Sequence, residues 1–325
     1  MIWKNNLVGC DFLDNLIKII SVVGPTASGK TALAVELAKH FNGEIISADS
    51  MQIYQGMHIA TAKPDEDEKQ NIVHHLMDFL PSDKTYSVAD FVNDAKKCVQ
   101  DIASRNKLPI IAGGTGLYVD SFLNNITFSN YERDEDVTKE LYSLYEQYGV
   151  EHLLDMLAGF DSESAENLKE AKNVKRIIRA IEFYKTNGIT ISEHNKNSKS
   201  ISSPYKVVKI GLKFEDRQKL YDRINKRVDI MMDKGLLDEA EKVLSSSLSN
   251  TSKMAIGYKE LIPYFNKEKK LEECIETLKR ETRRYAKRQL TWFNRDEEIN
   301  WIFVDRFNNF DEIFNYAISI AEKGL

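Results

Sequence analysis

An eight-residue segment constrains the fold of this chain more than any other feature of its sequence. The segment fits the pattern G-x-x-x-x-G-K-[ST] at every fixed position and consists of Gly24, Pro25, Thr26, Ala27, Ser28, Gly29, Lys30 and Thr31. The apolar run Ile17–Val23 before it predicts a strand, and residues 31–41 after it have the apolar spacing of a helix. A strand, a glycine-containing loop and a helix in this order are the setting in which the pattern forms a phosphate-binding loop.

The chemistry of this loop suits a chain of phosphate groups. Its glycines let backbone N–H groups turn inward around phosphate oxygens, and the N-terminus of the following helix adds positive potential. Lys30 supplies a positive charge, and the hydroxyl of Thr31 is a suitable ligand for Mg²⁺. The motif therefore predicts that a diphosphate or nucleotide binds here with Mg²⁺. It does not distinguish ATP from another diphosphate ester.

The rest of the pattern predicts an α/β fold, with a P-loop NTPase-like parallel sheet flanked by helices and an all-helical insertion domain. Further strands are predicted at residues 44–48, 108–112, 205–214 and 299–304, and helices at residues 88–104 and 313–323. Alternation of strands and helices indicates a parallel sheet. Residues 133–186 have only helical periodicity, and the polar residues 188–204 predict a mobile loop.

These patterns divide the chain of 325 residues into three parts. We expect an N-terminal extension at residues 1–16, a core domain at residues 17–130 and 201–325, and a helical insertion domain that contacts RNA at residues 131–200. No apolar run approaches the roughly 18 residues that span a bilayer, and residues 1–16 lack the pattern of a secretory signal. Three widely spaced cysteines argue against a disulfide framework and suit a reducing cytoplasm, where we expect a monomer.

Two polar segments follow predicted strands, at the edge of the sheet where ligands bind in such folds. Asp49 and Ser50 follow the second strand, and residues 113–116, with Thr115 among three glycines, follow the third. Asp49 is a candidate general base or metal ligand, or the N-cap of a helix. Thr115 is a candidate donor to a bound oxygen, or part of a tight turn. The adjacent histidines His74 and His75 are interpreted as structural rather than metal-binding, because neighbouring residues do not share a face.

Basic residues cluster on predicted helices, although the net charge of −5 argues against nucleic acid. Arg223 and Arg227 share a helix face and could clamp a diphosphate, although surface pairs with Asp222 or Asp229 are the commoner outcome. A basic stripe interleaved with aromatic residues suits an RNA backbone, whereas a solvated helix face is the simpler interpretation. The stripe comprises Arg280, Arg284, Tyr285, Lys287, Arg288 and Trp292. A second basic segment in the helical insertion contains Lys175, Arg176 and Arg179.

Taken together, these segments resemble the tRNA dimethylallyltransferases. The resemblance covers nearly the whole chain after Leu16, in the family's order. Besides the phosphate loop it includes Ser47-Ala-Asp49-Ser50-Met-Gln52-Ile-Tyr54, Thr61-Ala-Lys63-Pro64, Gly113-Gly-Thr115-Gly-Leu-Tyr118, Arg176-Ile-Ile-Arg179-Ala-Ile-Glu182, Ile256-Gly-Tyr258-Lys-Glu260 and Tyr285-Ala-Lys-Arg-Gln-Leu-Thr-Trp292-Phe293.

The resemblance implies a reaction and roles for particular residues. A dimethylallyl group passes from dimethylallyl diphosphate to the exocyclic amine of the adenosine 3′ of the anticodon, in tRNAs reading codons that begin with U. Asp49 is then the base, Thr115 contacts the bridging region of the diphosphate, and Arg223 and Arg227 help the loop and Mg²⁺ to neutralise it. Residues expected to touch the anticodon stem-loop are Asp49, Ser50, Met51, Gln52, Thr115, Lys175, Arg176, Ile177, Ile178, Arg179, Gly257, Tyr258, Lys259, Arg284, Lys287, Arg288, Gln289 and Trp292.

Three other functions use the same loop. A P-loop small-molecule kinase would use Asp49 to activate a hydroxyl and would consume ATP. An isopentenyltransferase for free adenine nucleotides would not need the tRNA-contacting insertion. A nucleotide-gated RNA-binding protein would tolerate replacement of Asp49 and Thr115. No membrane partner is expected.

Overall fold

A computed structural model of the chain describes residues 16–128, 134–198, 202–249 and 251–325. Six parallel strands form a sheet in the order β3-β2-β4-β1-β5-β6. The strands are β1 (Ile17–Val23), β2 (Gly43–Ser47), β3 (His74–His75), β4 (Leu108–Gly113), β5 (Tyr205–Lys213) and β6 (Asn300–Phe303). The prediction of a parallel α/β sheet is confirmed. Strand β3 was not predicted, because two residues are too short to give a periodic pattern.

The described residues form two compact units, one up to Leu123 and from Pro204 onward, the other from Asn124 to Ser203. The helices of the first unit are α1 (Lys30–His40), α2 (Glu66–Lys69), α3 (Val88–Ser104), α4 (Gly116–Leu123), α9 (Arg217–Asp233), α10 (Leu236–Leu244), α11 (Ile262–Phe265), α12 (Leu271–Phe293) and α13 (Phe310–Gly324). Those of the second unit are α5 (Glu135–Ala158), α6 (Ser162–Lys169), α7 (Val174–Asn187) and α8 (Ile191–Ser198). No helix of the described residues is long and apolar enough to cross a membrane.

The central strands are buried because their apolar side chains face helices on both sides of the sheet. β1 lies between β4 and β5 and is buried from Ile19 to Val23. A main core joins β1, β2, β4 and β5 to the buried faces of α1 and α13. A second core packs the loop after β2 against α9, α10 and α12 through Ile53, Tyr54, Tyr258 and Leu278, among others. This second core fixes the loops at the carboxyl edge of the sheet.

A buried carboxylate ties β2 to its neighbours. Glu44 is 2% exposed and accepts hydrogen bonds from the guanidinium of Arg105 at 2.5 and 2.8 Å and from Lys107 at 2.8 Å. His75 Nε2 lies 2.7 Å from the same carboxylate. These partners hold the pKa of Glu44 well below its ordinary value, with the Arg105 hydrogen bonds as the main cause. His75 thus has the structural part that was expected of it.

The helical unit has its own apolar core, built from α5, α6 and α7. Helix α5 bends at Gly149, whose φ of 81° is not helical. The prediction that residues 188–204 form a mobile loop is wrong over α8. There the hydroxyl of Thr190 caps Glu193 at 3.2 Å, Ser192 donates to Asp161 at 3.1 Å, and Ile191 packs against the core. Polar residues that suggested a loop thus serve as caps. Residues 199–201, and residues 1–15 of the predicted N-terminal extension, lie outside the described residues.

Candidate active site

The phosphate loop adopts backbone angles that only some residues tolerate. Gly24 has φ of +150°, and a Cβ there would lie 2.6 Å from the carbonyl oxygen of Leu212 in β5. Gly29 has φ of +97° and precedes the first turn of α1. Ala27 is held at φ of 63°, and its carbonyl oxygen accepts a 2.9 Å hydrogen bond from Nε of Arg223. The loop is therefore preshaped, with an arginine from α9 fastened to its backbone.

A cavity of about 370 Å³ opens beside this loop, at the carboxyl ends of β2 and β4. It brings together residues that the sequence predicted in five separate segments. They are Thr26, Lys30 and Thr31 of the loop; Asp49, Ser50, Met51 and Gln52 after β2; Arg227 of α9; and Gly257, Lys259, Arg288 and Gln289 of later segments. Thr115 and Arg223 border this site without lining the cavity itself.

Two cationic side chains face this cavity without an ion pair to any described carboxylate. Lys30 donates through Nζ to the carbonyl oxygen of Pro25 at 3.3 Å. Burial, and after it the charge of Arg227, lowers the pKa of Lys30 to about 8, while Asp49 acts in the opposite direction. Burial also lowers the pKa of Arg227, which lies half-buried in the wall. Because no carboxylate of the described residues pairs with Lys30 or Arg227, their positive charges favour an anionic ligand in the cavity.

The surface ion pairs considered for the two arginines do not form. Asp229 pairs instead with Lys279 at 2.7 Å, and Asp222 accepts from the amide of Gln218 at 2.8 Å. Arg223 contacts the phosphate loop and Arg227 lines the cavity. Both arginines are thus directed at the loop and cavity rather than at neighbours on their own helix.

Asp49 caps a turn with one of its two oxygens. Oδ1 accepts hydrogen bonds from the backbone N–H of Met51 at 2.9 Å and of Gln52 at 3.4 Å. Among the described residues none donates a hydrogen bond to Oδ2. The residues that follow form a turn and not a helix. Capping and proton transfer are therefore compatible uses of this carboxylate, one for each oxygen.

Thr115 joins the turn at residues 113–116, called the glycine turn below, to the segment that carries Asp49. Its backbone N–H donates to the carbonyl oxygen of Ala48 at 3.1 Å, and its hydroxyl oxygen accepts from the N–H of Ser50 at 3.0 Å. The same hydroxyl donates to Ser50 Oγ at 3.3 Å. Tyr285 lines the cavity nearby, and burial together with the charge of Asp49 raises the pKa of its phenol.

Part of the segment expected to touch tRNA also supports the site. Gln289 is buried: its Oε1 accepts from the N–H of Thr26 at 2.8 Å and its Nε2 donates to the carbonyl oxygen of Gly114 at 3.0 Å. Trp292 donates through Nε1 to Asp120 at 2.5 Å and packs on Gly116, where a Cβ would lie 2.2 Å from its ring. The phosphate loop and the glycine turn are thus joined through α12.

The other residues expected at tRNA divide into exposed and buried groups. Arg284, Lys287 and Arg288 of α12 are exposed, as are Lys175 and Arg176 in the helical unit, with Arg284 paired to Glu281 at 2.7 Å. Arg179 forms an ion pair with Glu182. The side chains of Ile177, Ile178 and Tyr258 are at most 3% exposed, because they belong to apolar cores. The side chains of the first group are accessible at the surface, whereas those of the second group are not.

One residue that organises the site was not found from the sequence. Glu239 of α10 accepts hydrogen bonds from three consecutive backbone N–H groups, at 2.9 Å from His58, 2.8 Å from Ile59 and 3.0 Å from Ala60. It also accepts from the hydroxyl of Tyr258 at 2.8 Å. The loop thus anchored goes on to Thr61 and Ala62, whose carbonyl oxygens accept from Nε2 of Gln52 at 3.2 Å. No sequence pattern indicates a contact between residues about 180 positions apart.

The described residues contain no group of three or more histidine, cysteine, aspartate or glutamate side chains that could hold a metal ion by themselves. Thr31 and Asp49 nevertheless bring a hydroxyl and a carboxylate to one cavity. This sparse oxygen set suits Mg²⁺, which keeps several waters and takes other ligands from substrate phosphates.

Comparison with known proteins agrees with this geometry. The sequence family described as IPP transferase matches residues 52–296. A tRNA dimethylallyltransferase of Acetivibrio thermocellus is 48% identical over 316 residues, which cover 96% of this chain and 99% of the relative. The crystal structure of a full-length tRNA isopentenylpyrophosphate transferase from Bacillus halodurans superposes with a TM-score of 0.69 at 42% identity, covering 94% of this chain and 97% of that one. A eukaryotic dimethylallyltransferase acting on tRNA gives a TM-score of 0.76 at 27% identity, over 93% and 78% of the two chains. The chain therefore belongs to the IPP transferase family, as its resemblance to tRNA dimethylallyltransferases predicted.

Proposed function

We propose that this protein transfers a dimethylallyl group from dimethylallyl diphosphate to the exocyclic amine of the adenosine 3′ of the anticodon, in tRNAs reading codons that begin with U. The observation that carries the proposal is the content of one cavity. Two cations without ion-pair partners, Lys30 and Arg227, line it together with the carboxylate of Asp49. The transfer requires cations that stabilise the anionic leaving group and a group that accepts the proton of the amine. Lys30 and Arg227 suit the first requirement, and Asp49 suits the second.

The diphosphate binds at the phosphate loop in this proposal. Backbone N–H groups at the start of α1, the ammonium of Lys30 and the guanidinium of Arg227 neutralise its charge, and Arg223 keeps the loop in shape through Ala27. As the C1–O bond of the donor breaks, negative charge grows on the diphosphate. Donors that are already in place stabilise that charge without reorganisation.

Asp49 acts at the other end of the reacting pair. The amine nitrogen forms a bond to C1, and the proton it loses passes to Oδ2 of Asp49, while Oδ1 keeps its hydrogen bonds to Met51 and Gln52. The anchored oxygen fixes the orientation of the carboxylate. Thr115 holds the same segment through Ser50, and its contact with the bridging region of the diphosphate would replace its hydrogen bond to Ser50 Oγ.

Mg²⁺ is the metal that we assign to this site. The hydroxyl of Thr31 would hold it together with diphosphate oxygens and water, and Asp49 lies on the same cavity. When bound, the ion adds positive charge that helps the diphosphate to leave. The protein's own residues accept the proton and hold the carboxylate of Asp49 in its orientation.

The tRNA is the acceptor in this proposal. Arg284, Lys287 and Arg288 present positive charge on α12, and Arg288 also lines the cavity, which suits a phosphate close to an extruded base. Lys175 and Arg176 give the helical unit a basic surface of its own. Extruding the base costs a few kcal/mol, which contacts along the anticodon stem-loop can offset.

One assay separates this function from its rivals. Protein, Mg²⁺ and labelled dimethylallyl diphosphate are incubated with unmodified tRNA or with AMP, and the label is located after nuclease digestion. We expect label on the adenosine 3′ of the anticodon. Label on AMP would favour the free-nucleotide reaction, and ATP consumption without prenyl transfer would favour a kinase. A near-normal rate of prenyl transfer after loss of Asp49 would exclude Asp49 as the base.

A further inference from the structure

The side chain of Gln289 joins two loops of the candidate active site through its terminal amide. Its Oε1 accepts a hydrogen bond from the backbone N–H of Thr26 at 2.8 Å, and its Nε2 donates to the carbonyl oxygen of Gly114 at 3.0 Å. The residue is 5% exposed. An amide accepts at one atom and donates at the other without carrying charge. Gln289 therefore connects the phosphate loop to the glycine turn and adds no charge beside the site of the diphosphate.

Gly114 leaves the space that this amide occupies. A Cβ at Gly114 would lie 2.1 Å from Nε2 of Gln289, whereas the carbonyl oxygen of Gly24 would be 3.6 Å away. The φ angle of Gly114 lies outside the left-handed region, so its backbone conformation alone would tolerate alanine. The contact with Gln289 is thus the feature of this position that an alanine would disturb.

Gln289 lies on the inner face of α12, which packs on the site. Tyr285, four residues earlier, lines the cavity, and Trp292, three residues later, packs on Gly116. Residues three or four apart share a helix face, so these three side chains form one surface. Lys287, between them in sequence, is exposed. The helix therefore separates a charged surface that suits RNA from an inner surface whose polar groups bind the protein's own loops.

We propose that Gln289 is a positioning residue for the leaving diphosphate, because it fixes the distance between the phosphate loop and Thr115. The inference rests on the prenyl transfer proposed above, and it gives Gln289 a part in the chemical step rather than in tRNA affinity. Thr115 directly follows Gly114, and its hydroxyl oxygen accepts from the N–H of Ser50 at 3.0 Å. A shift of Gly114 would therefore move Thr115 relative to a diphosphate held by the phosphate loop.

Gln289 takes no part in the changes of bonding. The C1–O bond to the diphosphate breaks, the bond from the adenosine amine to C1 forms, and the amine proton passes to Asp49. Gln289 acts by keeping the loop and Thr115 in place before charge develops on the diphosphate, since donors that are already oriented need no reorganisation. A misplacement of about 1 Å at a reacting centre can lower a rate by about 100-fold.

Gln289→Met tests this role, because methionine has a similar length but neither polar atom of the amide. Single-turnover kinetics with saturating tRNA and donor would measure the chemical step, and filter binding would measure the Kd for tRNA. We expect the rate to fall by about 10- to 100-fold, while the Kd for tRNA stays within about twofold of the native value. A normal rate would overturn the inference, and a weakened tRNA affinity beside that normal rate would make Gln289 a tRNA contact.

Gly114→Ala disturbs the same contact from the other side, so the test does not depend on one variant. Its Cβ should displace the amide and lower the single-turnover rate by about tenfold. In a Gln289→Ala background the Cβ meets no amide, and the added substitution should change the rate by no more than about twofold. An equal loss in both backgrounds would show that the amide does not position the turn, and the inference would be rejected.

The matched control is Gln100→Met, because Gln100 is exposed on α3 and lies outside the cavity. We expect this substitution to leave the single-turnover rate and the Kd for tRNA unchanged. The native protein is assayed in parallel with labelled dimethylallyl diphosphate. A native protein that transfers no label to tRNA would count against the proposed function, whereas a Gln289→Met protein that matches an active native protein would count against this inference alone.

Discussion

The carboxylate of Glu239 accepts a 2.8 Å hydrogen bond from the hydroxyl of Tyr258, and the same carboxylate holds three backbone N–H groups of the loop after β2. Four donors on one carboxylate join α10 to two segments of the cavity wall. The next residues of this loop, Thr61 and Ala62, accept hydrogen bonds from the side-chain amide of Gln52. The backbone N–H of Gln52 in turn donates one of the two hydrogen bonds that Asp49 accepts. Glu239 therefore positions the segment that carries Asp49, the proposed base, without touching Asp49 itself.

Replacing Glu239 by Gln should impair the chemical step more than donor binding. The amide nitrogen of Gln donates hydrogen bonds, so it cannot accept from the N–H groups that face it, and the loop must shift. We expect the single-turnover rate to fall by about 10- to 100-fold, because displacements of about 1 Å can have effects of that size. Rapid-quench kinetics with saturating tRNA and donor would measure it.

Glu241→Gln is the matched control for this prediction, since Glu241 is exposed on the same helix. Its rate should match that of the native protein. Donor affinity should change little in Glu239→Gln, because the hydrogen bonds of Glu239 hold a different segment from the phosphate loop, which connects β1 to α1. A Glu239→Gln protein with a lowered donor affinity and a normal single-turnover rate would show that the loop serves binding instead.

The lowered pKa of Lys30 predicts that donor affinity depends on pH. In the free protein this pKa is about 8, and a bound diphosphate raises it because negative charge favours the ammonium form. Below pH 8 Lys30 is charged in both states, so affinity should be constant. Above pH 8 binding must take up a proton, and the Kd for a non-reactive donor analogue should rise by up to tenfold per pH unit. Calorimetry between pH 6.5 and about 9.5 would measure this slope.

Lys30→Arg provides the control, because arginine keeps its charge throughout this range. Its affinity will differ from that of the native protein, since a guanidinium fits the loop differently. The part of the pH dependence above pH 8 that comes from deprotonation of Lys30 should nevertheless be absent from the variant. An identical slope in both proteins would assign the titration to another group, such as the diphosphate itself.

Glu44 predicts a loss of stability in acid. Its folded-state pKa is depressed below the ordinary value of 4.5, so its contribution is present above that pH and is lost as pH falls through the folded pKa. Glu44→Gln should lower the free energy of unfolding at pH 7 by about 2–3 kcal/mol, less than for a fully buried pair because its cationic partners are partly exposed. Urea unfolding at pH 7 and at about pH 3.5 would show a smaller difference in acid.

Glu66→Gln is a suitable comparison, because Glu66 pairs with Lys69 on an exposed helix and its side chain is 88% exposed. This variant should cost less than about 1 kcal/mol at either pH. If Glu44→Gln cost no more than Glu66→Gln, the buried network would have no net stabilising effect. Replacement of a buried ion pair can be neutral, so this outcome is a real alternative.

The sequence predicted the elements whose pattern is local and missed the contacts that are not. β1 and α3 begin and end at the predicted residues, because their signals lie close together in the sequence. The signal of β1 is a continuous apolar run, and that of α3 is an apolar periodicity preceded by a capping box. The clamp by Glu239 and the bridge by Gln289 join residues far apart in the chain, and no periodicity encodes them. Helix α8 was missed for the related reason that part of its capping comes from Asp161, the N-cap residue of α6.

Asp49→Asn separates the two uses of this carboxylate. Asparagine keeps an Oδ1 that can accept from the N–H groups of Met51 and Gln52, so the turn should persist and the melting temperature should not change. It loses the proton acceptor at Oδ2. We therefore expect the single-turnover rate with saturating substrates to fall by roughly 10²- to 10⁴-fold, the usual contribution of a positioned general base. Binding of tRNA and donor should change far less, because the proposed function assigns most of that binding to the basic residues of α12 and to the phosphate loop. A near-normal single-turnover rate would remove Asp49 from the proton transfer and leave capping as its only part.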